Sequence, residues 1–261
     1  MFLTVAAKHE RFGALCSPIF STLAAIGFLA FAHFWDPARP SLSPDGTAAW
    51  YQHHHDGVLV GMAIFLVAIA FLTVWSAQLS IHLWRIPGQS PLLALSQAMA
   101  GGIIVMVVLL DSTLWIGAAF RPGMNGEIVQ ALNDSAWFSY MMAWPIFAVQ
   151  MLATAVLALN DKRSVKLFPR WLEHTSIFLA IAGMTSMGIA FTKHGVFCYH
   201  GLLGYYFGMA IWLFWNDTHA WYAFTAPRRG VSLETVALRS TVEGSFSVTS
   251  DDEAVGVPAH S

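Results

Sequence analysis

The sequence predicts an all-α membrane protein: a polytopic bundle of six transmembrane helices with both termini in the cytoplasm. Three observations carry this. Hydrophobic residues make up 56% of the 261-residue chain and Asp, Glu, Lys and Arg only 11%, against about 25% charged in soluble domains. The apolar residues fall into six runs, each long enough for a bilayer, which takes about 20 helical residues to cross. The basic residues are unevenly shared between the loops. With the N-terminus inside, Lys8, Arg11, Arg85, Lys162, Arg163, Lys166, Arg170, Arg228, Arg229 and Arg239 are cytoplasmic, and only Arg39, Arg121 and Lys193 are outside. That asymmetry sets the orientation as N-in and C-in.

Residues 1–14 form a charged lead with Lys8, His9, Glu10 and Arg11. The first run, 15–35, shares with signal peptides a basic flank and an Ala30-Phe31-Ala32 triplet. It is nevertheless longer than the ~7–15 apolar residues of a signal core, so it reads as a retained span. A loop rich in Pro, Ser and Gly covers 36–56 and ends in His53, His54, His55 and Asp56. The second run, 58–83, stops before Pro87-Gly88, a turn signal.

The third run, 92–120, contains Asp111. Its exit loop carries Arg121, Glu127 and Asp134, and Asp134 is expected to cap a fourth helix over 135–159. Pro145 within that helix predicts a kink. The densest basic segment, 160–170, precedes the fifth run, 171–192, and a tight link over 193–198 leads to the sixth, 199–222. Residues 225–261 are polar and acidic near their end, too poor in apolar side chains to fold alone, and are expected to be a disordered cytoplasmic tail. The chain thus divides into a lead (1–14), a membrane domain (15–224) and a tail (225–261).

Packing signals are generic. Tryptophans 35, 50, 115 and 137 fall near the outer boundary and 84, 171 and 221 near the inner one, as in aromatic belts. Gly204 and Gly208 form a GxxxG on the sixth run, and Ala182, Ser186 and Ala190 a small-residue ridge on the fifth, which together predict a closely packed hairpin.

Several function classes are excluded. The formal net charge of −2 gives no basis for nucleic-acid binding. Cys16 and Cys198 lie toward opposite membrane faces, so no disulfide is expected. There is no P-loop, GxGxxG, GxSxG or paired CxxC, which removes nucleotide-driven pumps and serine hydrolases.

Chemistry, if present, is expected at the outer face. Asp111 is the sharpest candidate, because a carboxyl inside an apolar span is costly and marks a functional site by default. A buried ion pair tying spans together is its favoured role, with Lys193, His194 or a loop histidine as partner. His55, His194 and His200, joined by Asp111, are weaker candidates for a metal centre, since imidazole suits Zn, Cu or Fe. Neither HExxH nor a close-spaced histidine box accompanies them, and interfacial histidines are the simpler reading. His82, His174 (which follows Glu173), Asp217 and His219 read as residues of the inner boundary, and Gln97 and Gln150 as interhelical glue.

Ala119-Phe120-Arg121-Pro122, Glu127, Leu132-Asn133-Asp134-Ser135-Ala136-Trp137, Phe168-Pro169-Arg170-Trp171 and Lys193-His194-Gly195-Val196-Phe197 resemble the landmarks of a group of uncharacterised bacterial six-span membrane proteins. The resemblance covers residues 15–224 and implies the same fold in a bacterial inner membrane, with no activity attached. The histidine run and Cys198-Tyr199-His200 are not among its landmarks. The expected function is that of a binding or accessory protein for a hydrophobic or membrane-resident partner, either another membrane protein or a second copy of the chain. The alternatives are a membrane enzyme with an outer His/Asp site and a small transporter using Asp111 for proton coupling. No pattern names a cofactor or substrate.

Overall fold

The structure, a computed structural model, describes residues 5–231, and every regular element among them is helical. The α-helices are α1 (Val5–Ala24), α2 (Pro44–His53), α3 (His55–Trp84), α4 (Pro91–Ala119), α5 (Gly126–Met142), α6 (Trp144–Leu159), α7 (Arg170–Ala182) and α8 (Phe207–Thr225). α1 continues through a π-helical segment, Ala25–Phe31, while α7 tightens into a 3-10 helix, Gly183–Ala190. A π-helical turn, Leu202–Tyr206, opens α8. Among the described residues, four helical runs are long and apolar enough to cross a membrane: Lys8–Phe31, His55–Trp84, Pro91–Ala119 and Gly126–Leu159.

The helices close a ring. α1 packs on α3, α3 on α4, α4 on α5 and α6, α6 on α7, and α8 returns to α1. α4 shows why these sequences bury what they do. Ala94, Gln97, Gly101, Ile104, Val108, Asp111, Trp115 and Ala118 recur at alternating spacings of three and four, and all are buried. That is one stripe of a 3.6-residue helix. Leu92, Leu95, Met99, Ile103, Met106 and Leu110 lie on the other side and are exposed. The helix therefore turns its polar side chains inward and its aliphatic ones outward, as a bilayer requires.

Pro145 lies in the first turn of α6, and the expected kink takes the form of a one-residue interruption at Ala143, whose backbone stays right-handed. Proline has no N–H for the carbonyl four residues back, here that of Met141. Ser186 Oγ donates to that carbonyl instead, at 3.2 Å. Beside the break Trp144 Nε1 donates to the Ala180 carbonyl at 3.0 Å. Gly183 is needed there because a Cβ would overlap the Trp144 indole.

Several expectations are corrected. The fourth helical run begins at Gly126, where Asn125 Oδ1 accepts from Glu127 N at 2.8 Å, so Asp134 lies inside a helix and caps nothing. Trp115 and Trp137 are fully buried, because both fall on inward stripes of their helices, whereas Trp35, Trp84, Trp171 and Trp221 are exposed. The first loop folds into α2, with Ser43 as N-cap and Pro44 in the first turn.

The last two runs do pack together, through Gly183–Ala190 against Leu202–Tyr206 and the start of α8, but the expected small residues mostly face other partners. Gly204 sits against the Phe197 and Cys198 carbonyls, Gly208 faces Trp144, and Ser186 points to α5. The ordered chain also continues past residue 225. Ala226–Arg229 is a 3-10 turn, and Arg229 donates to the Lys166, Leu167 and Tyr222 carbonyls. The remainder of the expected tail, 232–261, lies outside the described residues.

Candidate functional site: a buried carboxyl above an apolar cleft

Asp111 is carried inward by the buried stripe of α4 and is completely inaccessible. Ser139 of α5 donates its hydroxyl to Asp111 Oδ1. Oδ2 has no hydrogen-bond partner among the described residues, and neither has the indole N–H of Trp115, one turn further along α4. No Lys, Arg or His forms an ion pair with Asp111, so the expected bridge to Lys193, His194 or a loop histidine does not exist among the described residues. Lys193 and His194 lie in the link after the fifth run, and on the side of Trp115 an aromatic layer packs against the turn that carries Asp111. That layer comprises Phe28, Phe34, Trp115, Trp137 and Tyr140, with Trp115 5.0 Å from both Phe34 and Trp137 and 5.5 Å from Tyr140.

Next to this layer, the α5–α6 break opens a cleft of about 50 Å³. Its walls are Ile104, Val107 and Val108 of α4, Tyr140, Met141, Trp144 and Phe147 at the break, and Gly208, Met209 and Trp212 of α8. A second, smaller void of about 20 Å³ lies behind Tyr140, Met209 and Trp212, against Phe28 and Phe65. Tyr140 donates to Met209 Sδ at 3.1 Å, so one hydrogen-bonded pair forms part of the partition between the two voids. The cleft can hold a short apolar group. Its polar neighbours are the Tyr140 hydroxyl and the indole N–H of Trp144, both already committed.

A hydrogen-bonded lid covers the aromatic layer. Asn133 Oδ1 accepts from Tyr51 (2.9 Å) and from Trp137 Nε1 (3.2 Å), and Asn133 Nδ2 donates to Tyr199 at 2.9 Å. Tyr199 in turn donates to Asp134 Oδ1 at 2.8 Å and stacks on Trp137. Burial, reinforced by the Asp134 charge, raises the pKa of both Tyr51 and Tyr199. The two phenols therefore remain donors.

The predicted histidines are placed apart. His55 holds Asp56 at 2.8 Å and lines a niche of about 10 Å³ with Gln52 and Arg121. His54 stacks on Trp50, and burial lowers its pKa. His33, with a left-handed backbone (φ 59°), brings its ring 4.7 Å from that of His54. His194 and His200 line a different recess with Arg39 and Lys193, and His200 Nε2 meets Asp36 at 2.6 Å. Among the described residues no three His, Cys, Asp or Glu side chains gather as a metal centre would require. Cys16 and Cys198 are both free.

At the other end of the bundle the sequence reading missed a buried pair. Glu173 of α7 and His219 of α8 are completely buried, with Oε1 and Nε2 3.4 Å apart and the Phe168 ring 4.8 Å from the imidazole. The signal was periodicity. Trp212, Trp215, Asn216, His219, Ala220 and Ala223 form one inward stripe of α8, as Leu172, Glu173, Ser176 and Ala180 do on α7. In the same region Ser17 and Ser21 of α1 donate to Asp217 at 2.7 and 3.0 Å, and Trp215 Nε1 donates to Ser176 at 3.1 Å. No family model, curated protein or solved structure matches this chain.

Proposed function

We propose that this chain is a six-span protein of a bacterial inner membrane, N-in and C-in, that binds a hydrophobic, membrane-resident partner through the cleft beside the α5–α6 break. α7 and α8, with their extensions, are the fifth and sixth spans, and both complete the ring rather than decorate it. The ten-to-three division of basic residues and the resemblance to uncharacterised six-span bacterial proteins support the location. α1 and its π-helical continuation contribute Phe20 and Phe28 to the core, which favours a retained span over a cleaved leader. The single observation that carries the binding reading is the apolar cleft itself, lying at span depth where a helix is broken. Binding sites between helices of bundles are built from such apolar walls with few polar groups.

The test is photolabelling with a diazirine-bearing fatty acid in proteoliposomes. Label is expected on Tyr140, Met141 and Met209 in the wild-type chain and is expected to disappear in Gly208→Leu, whose side chain enters the cleft. Label spread evenly over the outward residues Met99 and Met106 would reject the reading.

One observation favours a second reading. Asp111 has a donorless oxygen and no counter-charge among the described residues, which suits a group that takes up and releases a proton during transport. That reading requires Asp111→Asn to abolish a pH-dependent flux while the bundle stays folded. A flux unchanged in the variant would remove it. An outer metallo-enzyme built on Asp111, His55, His194 and His200 is the least favoured reading, because these groups line separate sites.

A further inference from the structure

We propose that the recess between the 36–41 loop and the 193–200 link binds the phosphate-bearing headgroup of an anionic lipid. The recess is open to the surface, measures about 350 Å³ and is lined by Arg39, Ser41, Lys193, His194, Gly195 and His200. It shares no residue with the apolar cleft, so the assignment does not depend on what that cleft holds.

The recess is a built feature. Its two walls come from segments far apart in sequence and are tied together by Tyr205 and Tyr206, whose hydroxyls donate to the carbonyls of Phe34 (2.6 Å) and Trp35 (2.7 Å). His200 adds its contact with Asp36. The link is held in shape by Leu203 N donating to the Val196 carbonyl at 2.8 Å and by Thr192 Oγ1 donating to the His194 carbonyl at 2.8 Å. It turns through Gly195 at φ 81°, a conformation that favours glycine.

Charge then selects the ligand. Arg39 and Lys193 are exposed and form no ion pair with any described residue. The carboxylate at the rim, Asp36, is already engaged by His200. Arg39, Lys193, His194 and Ser41 line one space, with His200 held beside it by Asp36. Such a donor set matches an anion with several oxygens, as a phosphate has.

The surroundings select a lipid over a soluble anion. Phe191 is 88% exposed and Leu202 63%, with Trp35 also exposed, flanking these two segments, and Val196 and Phe197 exposed within the link. An aromatic and aliphatic skirt beside cationic groups is the composition of a membrane interface, where acyl chains lie beside the skirt and the headgroup reaches the cations.

The experiment is native mass spectrometry of the full chain released from nanodiscs of phosphatidylcholine containing phosphatidylglycerol. The wild-type chain should retain phosphatidylglycerol in preference to phosphatidylcholine. Arg39→Gln combined with Lys193→Gln should weaken that retention roughly 10- to 30-fold, given what two basic residues contribute toward anionic lipid. Arg121→Gln, which alters an outer cation in another niche, should leave it unchanged. Circular dichroism checks that the exposed substitutions preserve the fold. Undiminished retention in the double variant, or an equal loss in Arg121→Gln, overturns the proposal. So does saturable binding of inorganic phosphate without any preference for phosphatidylglycerol, since the source would then be a free anion.

Discussion

The Ser186 hydroxyl donates to the Met141 carbonyl, the group that Pro145 leaves without its helical partner. One hydrogen bond thus joins the 3-10 segment after α7 to the α5–α6 break. It explains how a broken helix is tolerated in the interior of the bundle. Buried carbonyls otherwise cost free energy when unpaired.

Ser186→Ala should therefore destabilise the protein by about 0.6–1.7 kcal/mol, the range of hydrogen bonds between membrane helices. Adding Pro145→Ala restores an N–H for the Met141 carbonyl and should recover part of that loss. Unfolding in detergent, followed by circular dichroism, measures both. Additive effects of the two substitutions would show that they do not share this carbonyl.

Two glycines facing the same indole should respond in opposite directions. A Cβ at Gly183 overlaps Trp144, whereas one at Gly208 comes to 3.6 Å, ordinary contact. Gly183→Ala should lower stability by roughly 1–3 kcal/mol through overpacking. Gly208→Ala should be neutral or stabilise α8 by up to about 1 kcal/mol, the helix-propensity difference. Thermal midpoints of the two variants decide the matter, and equal losses would contradict the packing described.

The Glu173–His219 pair should be far costlier to split than to remove. Glu173→Ala leaves His219 buried beside Phe168 without its polar neighbour, a loss of about 1–3 kcal/mol. Replacing both residues, Glu173→Leu with His219→Leu, should recover most of this. A double-mutant cycle on unfolding free energy reads the coupling directly, and a coupling near zero would mean that the pair holds nothing together.

Alkaline pH should weaken the lid through Tyr51 and Tyr199. Their folded-state pKa values are raised above the ordinary tyrosine value by burial and by Asp134. Folding therefore favours the protonated phenols. Their contribution is complete below about pH 10 and is lost as pH rises from there toward the folded-state values. Stability measured from pH 8 to 12 should fall less steeply in the Tyr51→Phe, Tyr199→Phe double variant than in the wild-type chain. Parallel curves would exclude the two phenols as the cause.

Much of the helical plan was legible in the chain. Spacing of apolar residues located the runs that became α1, α3, α4 and α5–α6, and Pro145 marked the break. Asp111 stood out because one carboxyl in a long apolar run has few explanations. Its partner did not. Ser139 is an unremarkable serine in sequence, and only the register of α5 against α4 brings it to the carboxyl. Trp115 and Trp137 show the same limit from the other side, since composition placed them at a boundary and helix rotation placed them in the core.

The outer histidines separate in the same way. Sequence brought His55, His194 and His200 to one level of the bundle, yet level is a coordinate along the helix axis and says nothing of position around the ring. The fold puts His55 at the α2–α3 junction and the other two beside Arg39. It also assembles a cationic recess from residues too scattered to form a run. Local chemistry, the hydrophobicity and breakers of each segment, was enough to establish an all-helical chain with runs suited to a membrane, because those properties act within a few turns. Which polar groups meet, Asp111 with Ser139, Glu173 with His219, Arg39 with Lys193, depended on how the helices rotate and close into a ring, and that is a property of no single segment.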